Sequence, residues 1–226
     1  MQIEIRKGPL KMVNALPFIT SLPDTDFVDL HRWLESEIIA REEASFQDTN
    51  VTRRKTWQFG YNFEQMCEGD YSYSDIPAPI TDFCETVRRR LIAETGQDLP
   101  AAMQYQNSIL SFYEAGDQLE PHVDVNVAKL YRDGKPLGFY FGEHIIGVIL
   151  EADAQGCLYI QRGADVYNPD KPAYDPALAE IITERDGTVY LMKGVYRHSP
   201  YYHGVTEVKR RRVSLTFRTV EFREGT

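Results

Sequence analysis

The sequence predicts a mainly β fold with flanking helices, an α+β arrangement. Three observations predict it. Two helical periodicities lie before residue 100. From about residue 100 to 222, short strand-like runs follow one another with few helical patterns between them, which suggests a sandwich or barrel. The length, 226 residues, suits one full-sized domain or at most two small ones. We expect one domain over 1–226, with a helical and lid-like part over 1–100 and a β core over 101–222.

The first helix is expected from Asp24 to about Arg41. Phe27, Leu30, Leu34 and Ile38 recur at helical spacing, and Pro23 with Asp24 supplies the start. The second is expected from about Thr81 to Glu94. Phe83, Val87 and Leu91 fall four apart, Thr81 can cap the start, and Gly96 follows the end. The strand-like runs are SILSFY (108–113), HIIGVILE (144–151), CLYIQ (157–161), TVYLMK (188–193) and RVSLTFR (212–218). Turn residues separate them, among them Asp133-Gly134, Gly156 and Asp186-Gly187. The tail beyond Phe222 is expected to be loose.

Composition narrows the function classes. Apolar residues make up 42% and charged residues 26%, too balanced for a disordered chain. The net charge of −9 disfavours a protein that grips nucleic acid over its whole surface. Two short basic runs stand against it, Arg53-Arg54-Lys55 and Lys209-Arg210-Arg211-Arg212, and the first reads as a solvated turn or edge. Cys67, Cys84 and Cys157 cannot all pair within one chain and show no C-x-x-C spacing, as expected of reduced thiols. No stretch approaches the ~18 apolar residues of a membrane span, and the N-terminus lacks the apolar run of a signal peptide. A soluble, cytoplasmic protein without a membrane partner is the expectation.

Three motifs carry chemistry. In Pro121-His122-Val123-Asp124, the imidazole and the carboxylate stand two apart, so on a strand both point to one face. An H-x-D alone is weak, because it is common by chance. His203, in YYHG, would add a third ligand from a distant strand. Two histidines and one carboxylate leave coordination positions open, as in non-haem Fe(II) oxygenases, although zinc accepts similar ligands. In RVSLTFR, Val213, Leu215 and Phe217 face one way and Arg212, Ser214, Thr216 and Arg218 the other. The polar face belongs either in water or in a barrel interior. A buried arginine needs a partner, and a dicarboxylate matches its fork of donors.

SFYEAGDQLEPHVD, DGTVYLMKGVYRHSPYYHGV and RVSLTFR, in this order, resemble the AlkB family of Fe(II)- and 2-oxoglutarate-dependent dioxygenases. GYNFEQMCEGDYSYSDIPAPITDFCETV is similar to that family's aromatic substrate lid and the helix after it. The likeness spans roughly residues 55 to 220. It implies a double-stranded β-helix (jelly-roll) core, with Fe(II) held by His122, Asp124 and His203, and with 2-oxoglutarate and O2 consumed in the reaction. His198 rivals His203 as the third ligand, but His203 carries the HGV that matches the family. Arg212 falls where the family holds the distal carboxylate of 2-oxoglutarate, Arg218 where an arginine braces the carboxylate near the metal, and Tyr113 where a tyrosine hydrogen-bonds the co-substrate.

The sequence departs from the family's repair enzymes in three places. Ser111 and Ser214 replace asparagines that touch 2-oxoglutarate, and Asn126 replaces an acidic residue near the base. The stretch 129–143 is longer than a compact member needs and reads as an added hairpin turning at Asp133-Gly134. Tyr61, Phe63, Tyr71 and Tyr73 either stack a flipped base or pack the lid onto the core. The first reading is therefore hydroxylation of a C–H bond in a small molecule; a nucleoside-like one would also use the aromatic lid. Oxidative demethylation of N-methylated bases in DNA or RNA is the alternative, and a metal-binding module without turnover is the remote one.

Overall fold

The computed structural model describes residues 19–41, 47–49, 54–62, 73–124, 128–132, 135–153, 158–163, 173–197 and 201–224. Strands β1 (Ile19–Ser21), β2 (Gln47–Thr49), β3 (Arg54–Tyr61) and β4 (Tyr73–Ser74) come from the first half, with helices α1 (Val28–Arg41) and α2 (Ala78–Thr95). The second half supplies β5 (Asn107–Glu114), β6 (Leu119–His122), β7 (Ala128–Arg132), β8 (Lys135–Glu151), β9 (Leu158–Arg162), β10 (Ala179–Ile181), β11 (Thr188–Met192), β12 (Tyr201–Val205) and β13 (Arg211–Glu224).

They form two sheets. The larger runs β1-β11-β8-β13-β5-β3-β2, with β4 on β3 and β7 on β8; the smaller runs β10-β9-β12-β6. All the pairings are antiparallel. This two-sheet jelly roll is the mainly β core that the sequence predicts.

Period-two alternation gives the large sheet two different faces. One face packs under the helices: Trp57, Phe59, Leu110, Phe112, Ile146, Val148, Leu191, Val213, Leu215 and Phe217 join Phe27, Leu30, Leu34, Phe83, Val87 and Leu91 in one buried core. The other face turns toward the small sheet, where Ile145, Ile149, Tyr190 and Met192 meet Leu158 and Ile160. The polar side of β13 is therefore interior, not solvated: Arg212, Ser214 and Arg218 are all buried.

Both helices form where the periodicity places them, with local differences. A 3-10 turn, Asp24–Phe27, precedes α1. Helix α2 begins at Ala78, three residues before the expected start, because Pro79 fits the first turn, where no N–H is needed. Thr81 thus lies inside the helix and does not cap it. Gly96 ends the helix at φ 65°, its N–H bonded to the Ile92 carbonyl, as the spacing predicts.

The expected hairpin is present: β7 pairs with β8 up to Arg132↔Lys135, and its expected turn residues, Asp133 and Gly134, lie outside the described residues. It lengthens β8 beyond the expected 144–151. The far end of β8 pairs with the last residues of β13, through Glu224↔Leu137, so the tail continues as strand past Phe222. No helix among the described residues is long and apolar enough to cross a membrane.

Candidate metal centre

Strands β12 and β6 are adjacent, with His203 directly opposite His122. Their ring centroids lie 4.3 Å apart. Between this pair and Val205↔Leu119 the register shifts, with one extra residue on β6; a bulge of this kind bends a strand and re-aims its side chains. Asp124 stands two residues past the end of β6. Its Oδ1 is 3.6 Å from His122 Nε2 and its Oδ2 3.9 Å from His203 Nε2. One donor atom from each residue lies within 4.8 Å of the others, a set able to hold a metal ion.

Local contacts orient these side chains. His122 Nδ1 lies 3.0 Å from the Glu120 carbonyl. A carbonyl only accepts, so Nδ1 carries the proton and Nε2 keeps its lone pair toward Asp124. Burial pushes the His122 pKa down, outweighing the Asp124 charge, while the Arg54 and Arg218 charges push the same way. The neutral imidazole that a metal needs is thus favoured. Arg218 Nε donates to Asp124 Oδ2 at 3.1 Å, and its Nη1 to Thr216 Oγ1 at 2.8 Å.

Gly204 explains the glycine of the HGV motif. A Cβ there would lie 2.4 Å from both the Leu119 carbonyl oxygen and the Tyr159 hydroxyl. Only glycine lets the Leu119 carbonyl of β6 and the Tyr159 side chain lie this close to β12 beside the candidate ligand His203.

The wall next to the cluster is the inner face of β3, β5 and β13, set in rows by strand register. Thr56, Ser111, Ser214 and Ile149 form one row; Gln58, Ile109, Thr216 and Gly147 the next; Gly60, Asn107, Arg218 and Ile145 the third. Tyr113 pairs with Arg212 one step beyond. The expected co-substrate residues Ser111, Tyr113, Arg212, Ser214 and Arg218 thus share one buried face.

Their partners differ from expectation. Arg212 Nε and Nη2 donate to the two oxygens of Glu184, at 2.9 and 2.7 Å, and Nη1 donates to Ser214 Oγ at 3.0 Å. Both side chains of the ion pair are buried. Burial works against the Arg212 charge, but Glu184 outweighs it and pushes the guanidinium pKa up. The interior carboxylate that the sequence reading sought from a ligand is supplied by the protein itself. Tyr190, beside this pair, has its phenol pushed up to about 12 by burial.

Two residues of this wall escaped the sequence reading. Arg54 lies in the run taken for a solvated turn, yet its Nη1 donates to Tyr113 Oη at 2.9 Å and to Ser111 Oγ at 3.3 Å. The signal was the alternation of Arg54, Thr56 and Gln58 with Trp57 and Phe59, which marks an inward polar face. Glu184 lies between β10 and β11, where no periodicity singles it out.

Of the lid residues, Tyr61 and Tyr73 meet edge to face at 4.8 Å, and Tyr61 also packs on Phe222 at 5.0 Å. Phe63, Tyr71, Asn126, His198, Cys67 and Cys157 lie outside the described residues. Cys84 is buried and free.

No family model matches this chain, and no curated protein is similar to it in sequence. Among solved structures it is similar to a prolyl hydroxylase from Trichoplax adhaerens, in complex with a hypoxia inducible factor oxygen degradation domain peptide. The TM-score is 0.53 at 13% identity, over 92% of this chain and 84% of that one. It also aligns with a Pseudomonas putida prolyl-4-hydroxylase (TM-score 0.48, 13% identity, 92% and 94% covered). A third match is the viral collagen prolyl hydroxylase of Paramecium Bursaria Chlorella virus-1, as its 2OG complex (0.49, 12%, 96% and 99%). The likeness to the Trichoplax adhaerens enzyme is one of fold, and that fold is the double-stranded β-helix, here with a His–Asp–His cluster on its small sheet.

Proposed function

We propose that the protein is an AlkB-like Fe(II)- and 2-oxoglutarate-dependent dioxygenase that hydroxylates a C–H bond of a small, nucleoside-like molecule. The convergence of His122, Asp124 and His203 beside a buried wall of arginine, serine and tyrosine carries this reading. The donor set fits the ion. Neighbouring ligands on a first-row metal with bonds of about 2.1 Å sit roughly 3 Å apart. Here the two histidines lie 3.6 and 3.9 Å from the two different oxygens of Asp124, and one donor from each residue lies within 4.8 Å of the others, so the three must draw together around the ion. The two histidines and one carboxylate use half of an octahedral shell, which leaves room for a chelating keto acid and O2.

When bound, Fe(II) with 2-oxoglutarate and O2 supplies the oxidising power to place one oxygen atom in the substrate C–H bond and the other in succinate, with loss of CO2. The chain's own residues position and exclude. His122 keeps its lone pair on Nε2 through its bond to the Glu120 carbonyl. Arg218 orients Asp124. Tyr113, Ser111 and Ser214 offer hydroxyl groups to the co-substrate from the buried face, where little water competes.

The charges of the second basic run support a small substrate over a duplex. Lys209 pairs with Glu207, Arg211 with Glu151 and Arg212 with Glu184, so the run presents little positive field. The alternative, demethylation of N-methylated bases, draws on the Tyr61–Tyr73 pair. Tyr73 is 48% exposed and offers a face on which a base could stack. The test is mass spectrometry of a cell extract incubated with the protein, Fe(II) and 2-oxoglutarate. A species that gains one oxygen atom, with matching succinate, is expected. Absence of succinate above a His122→Ala control overturns the reading.

A further inference from the structure

Among the described residues, three guanidinium groups reach the inner wall: Arg54 from β3, and Arg212 and Arg218 from β13. Two of them already meet a carboxylate. Arg212 is held at two points by Glu184, and Arg218 donates to Asp124. Arg54 has no carboxylate partner among the described residues. Its hydrogen bonds go to two hydroxyl groups, those of Tyr113 and Ser111, both through Nη1. Its Nε is buried and makes no hydrogen bond, and neither does Thr56 Oγ1, two residues along the same face of β3. Thr56 is 1% exposed.

Two unmet donors, one of them cationic, are costly in a buried wall unless a ligand meets them. The bonds to Tyr113 and Ser111 fix the guanidinium plane and leave its Nε edge, one of the edges that carboxylates engage. A carboxylate there would accept from Arg54 Nε and from the Thr56 hydroxyl. At Arg212 the balance is opposite. A second carboxylate would stand beside Glu184, and two like charges in one buried site repel. We propose that Arg54 and Thr56 form the subsite for the distal carboxylate of the 2-oxo dicarboxylate co-substrate, and that Arg212 with Glu184 is a neutral structural pair. This rests on the co-substrate reading above and changes which arginine anchors the ligand.

The test compares two ligands that share a keto acid. 2-Oxoglutarate carries a distal carboxylate and pyruvate does not. Both are titrated calorimetrically into Mn(II)-loaded protein, so the readout is binding and not turnover. Wild type binds 2-oxoglutarate more tightly than pyruvate. Arg54→Met lowers 2-oxoglutarate affinity about ten- to hundred-fold, the loss of a charge-assisted bond, and leaves pyruvate affinity unchanged. Arg54→Lys recovers part of the loss, and Thr56→Val gives a smaller loss, again for 2-oxoglutarate alone. Unchanged 2-oxoglutarate affinity in Arg54→Met overturns the assignment. So does an equal loss for both ligands, which would place the effect away from the distal carboxylate. Wild type that binds neither keto acid overturns the co-substrate reading itself, a result separate from both.

Discussion

Arg218 on the large sheet and Asp124 beside the small sheet are tied by a 3.1 Å hydrogen bond across the barrel interior. Both side chains are 10% exposed. The orientation of the one carboxylate in the His–Asp–His cluster is thus set by the opposite wall, and Thr216 in turn steadies Arg218. A bond of this kind makes the cluster sensitive to a residue that does not belong to it. Arg218→Met is expected to lower Mn(II) affinity about ten- to hundred-fold, with partial recovery in Arg218→Lys. Metal titration followed by calorimetry checks this, and wild-type affinity in Arg218→Met would show that the bond has no hold on the site.

The cluster itself makes the simplest prediction. Purified protein should take up one divalent ion per chain, and His122→Ala, Asp124→Ala and His203→Ala should each greatly weaken uptake. His198→Ala should not. Retention of full affinity in His203→Ala, with loss in His198→Ala, reassigns the third ligand.

Arg212 and Glu184 predict a stability effect larger than any surface ion pair would give. Arg212→Ala leaves Glu184 buried without its partner and should cost about 3–5 kcal/mol in urea unfolding. The double variant Arg212→Met, Glu184→Leu removes both charges and should recover most of that loss. A single variant as stable as wild type would mean that water or another group already reaches Glu184.

The His–Asp pair of the candidate cluster and the polar inner face were legible in the sequence because both follow the two-residue period of a strand. His122 and Asp124 stand two apart, and Arg212, Ser214, Thr216 and Arg218 alternate with Val213, Leu215 and Phe217. What the period cannot say is which face looks inward on a strand whose neighbours are unknown. Arg54 was misread for that reason: three basic residues in a row look solvated until Trp57 and Phe59 are seen packing under the helices. Glu184 was illegible for another. Its partner stands 28 residues along the chain, and pairing of that kind is a property of the closed barrel. Thr81 can cap a helix, but Pro79 fits a first turn and lies upstream of it, so α2 starts at Ala78.

Gly204 predicts a coupling between backbone approach and ligand placement. A methyl group at this position meets the Leu119 carbonyl and the Tyr159 hydroxyl at 2.4 Å, so the Tyr159 ring must swing aside and β6 must move away from β12. Gly204→Ala should lose about 1–3 kcal/mol of stability, the usual result of overpacking. Because His122 is carried by β6, metal affinity should fall with it. Thermal melts and metal titration on the same sample separate the two effects; a lowered melting temperature with unchanged metal affinity would mean that the strands yield without moving His122.

The last prediction concerns the substrate. A duplex substrate would be drawn by a basic surface, and affinity for it would fall steeply with salt as counterions are released. The chain carries −9 overall, and three of the four cations in its second basic run have acidic partners. The β7–β8 hairpin extends the edge of the large sheet where β13 ends, beside Phe222 and the Tyr61–Tyr73 pair. An aromatic surface next to such an extension suits a bounded, flat molecule better than a long polymer. Methylated DNA and RNA oligonucleotides, incubated with the protein, Fe(II) and 2-oxoglutarate, should therefore release little formaldehyde, whereas methylated nucleosides should be the better substrates. Efficient demethylation of the oligonucleotides, weakening as salt is added, would reverse this order and make the nucleic-acid reading the correct one.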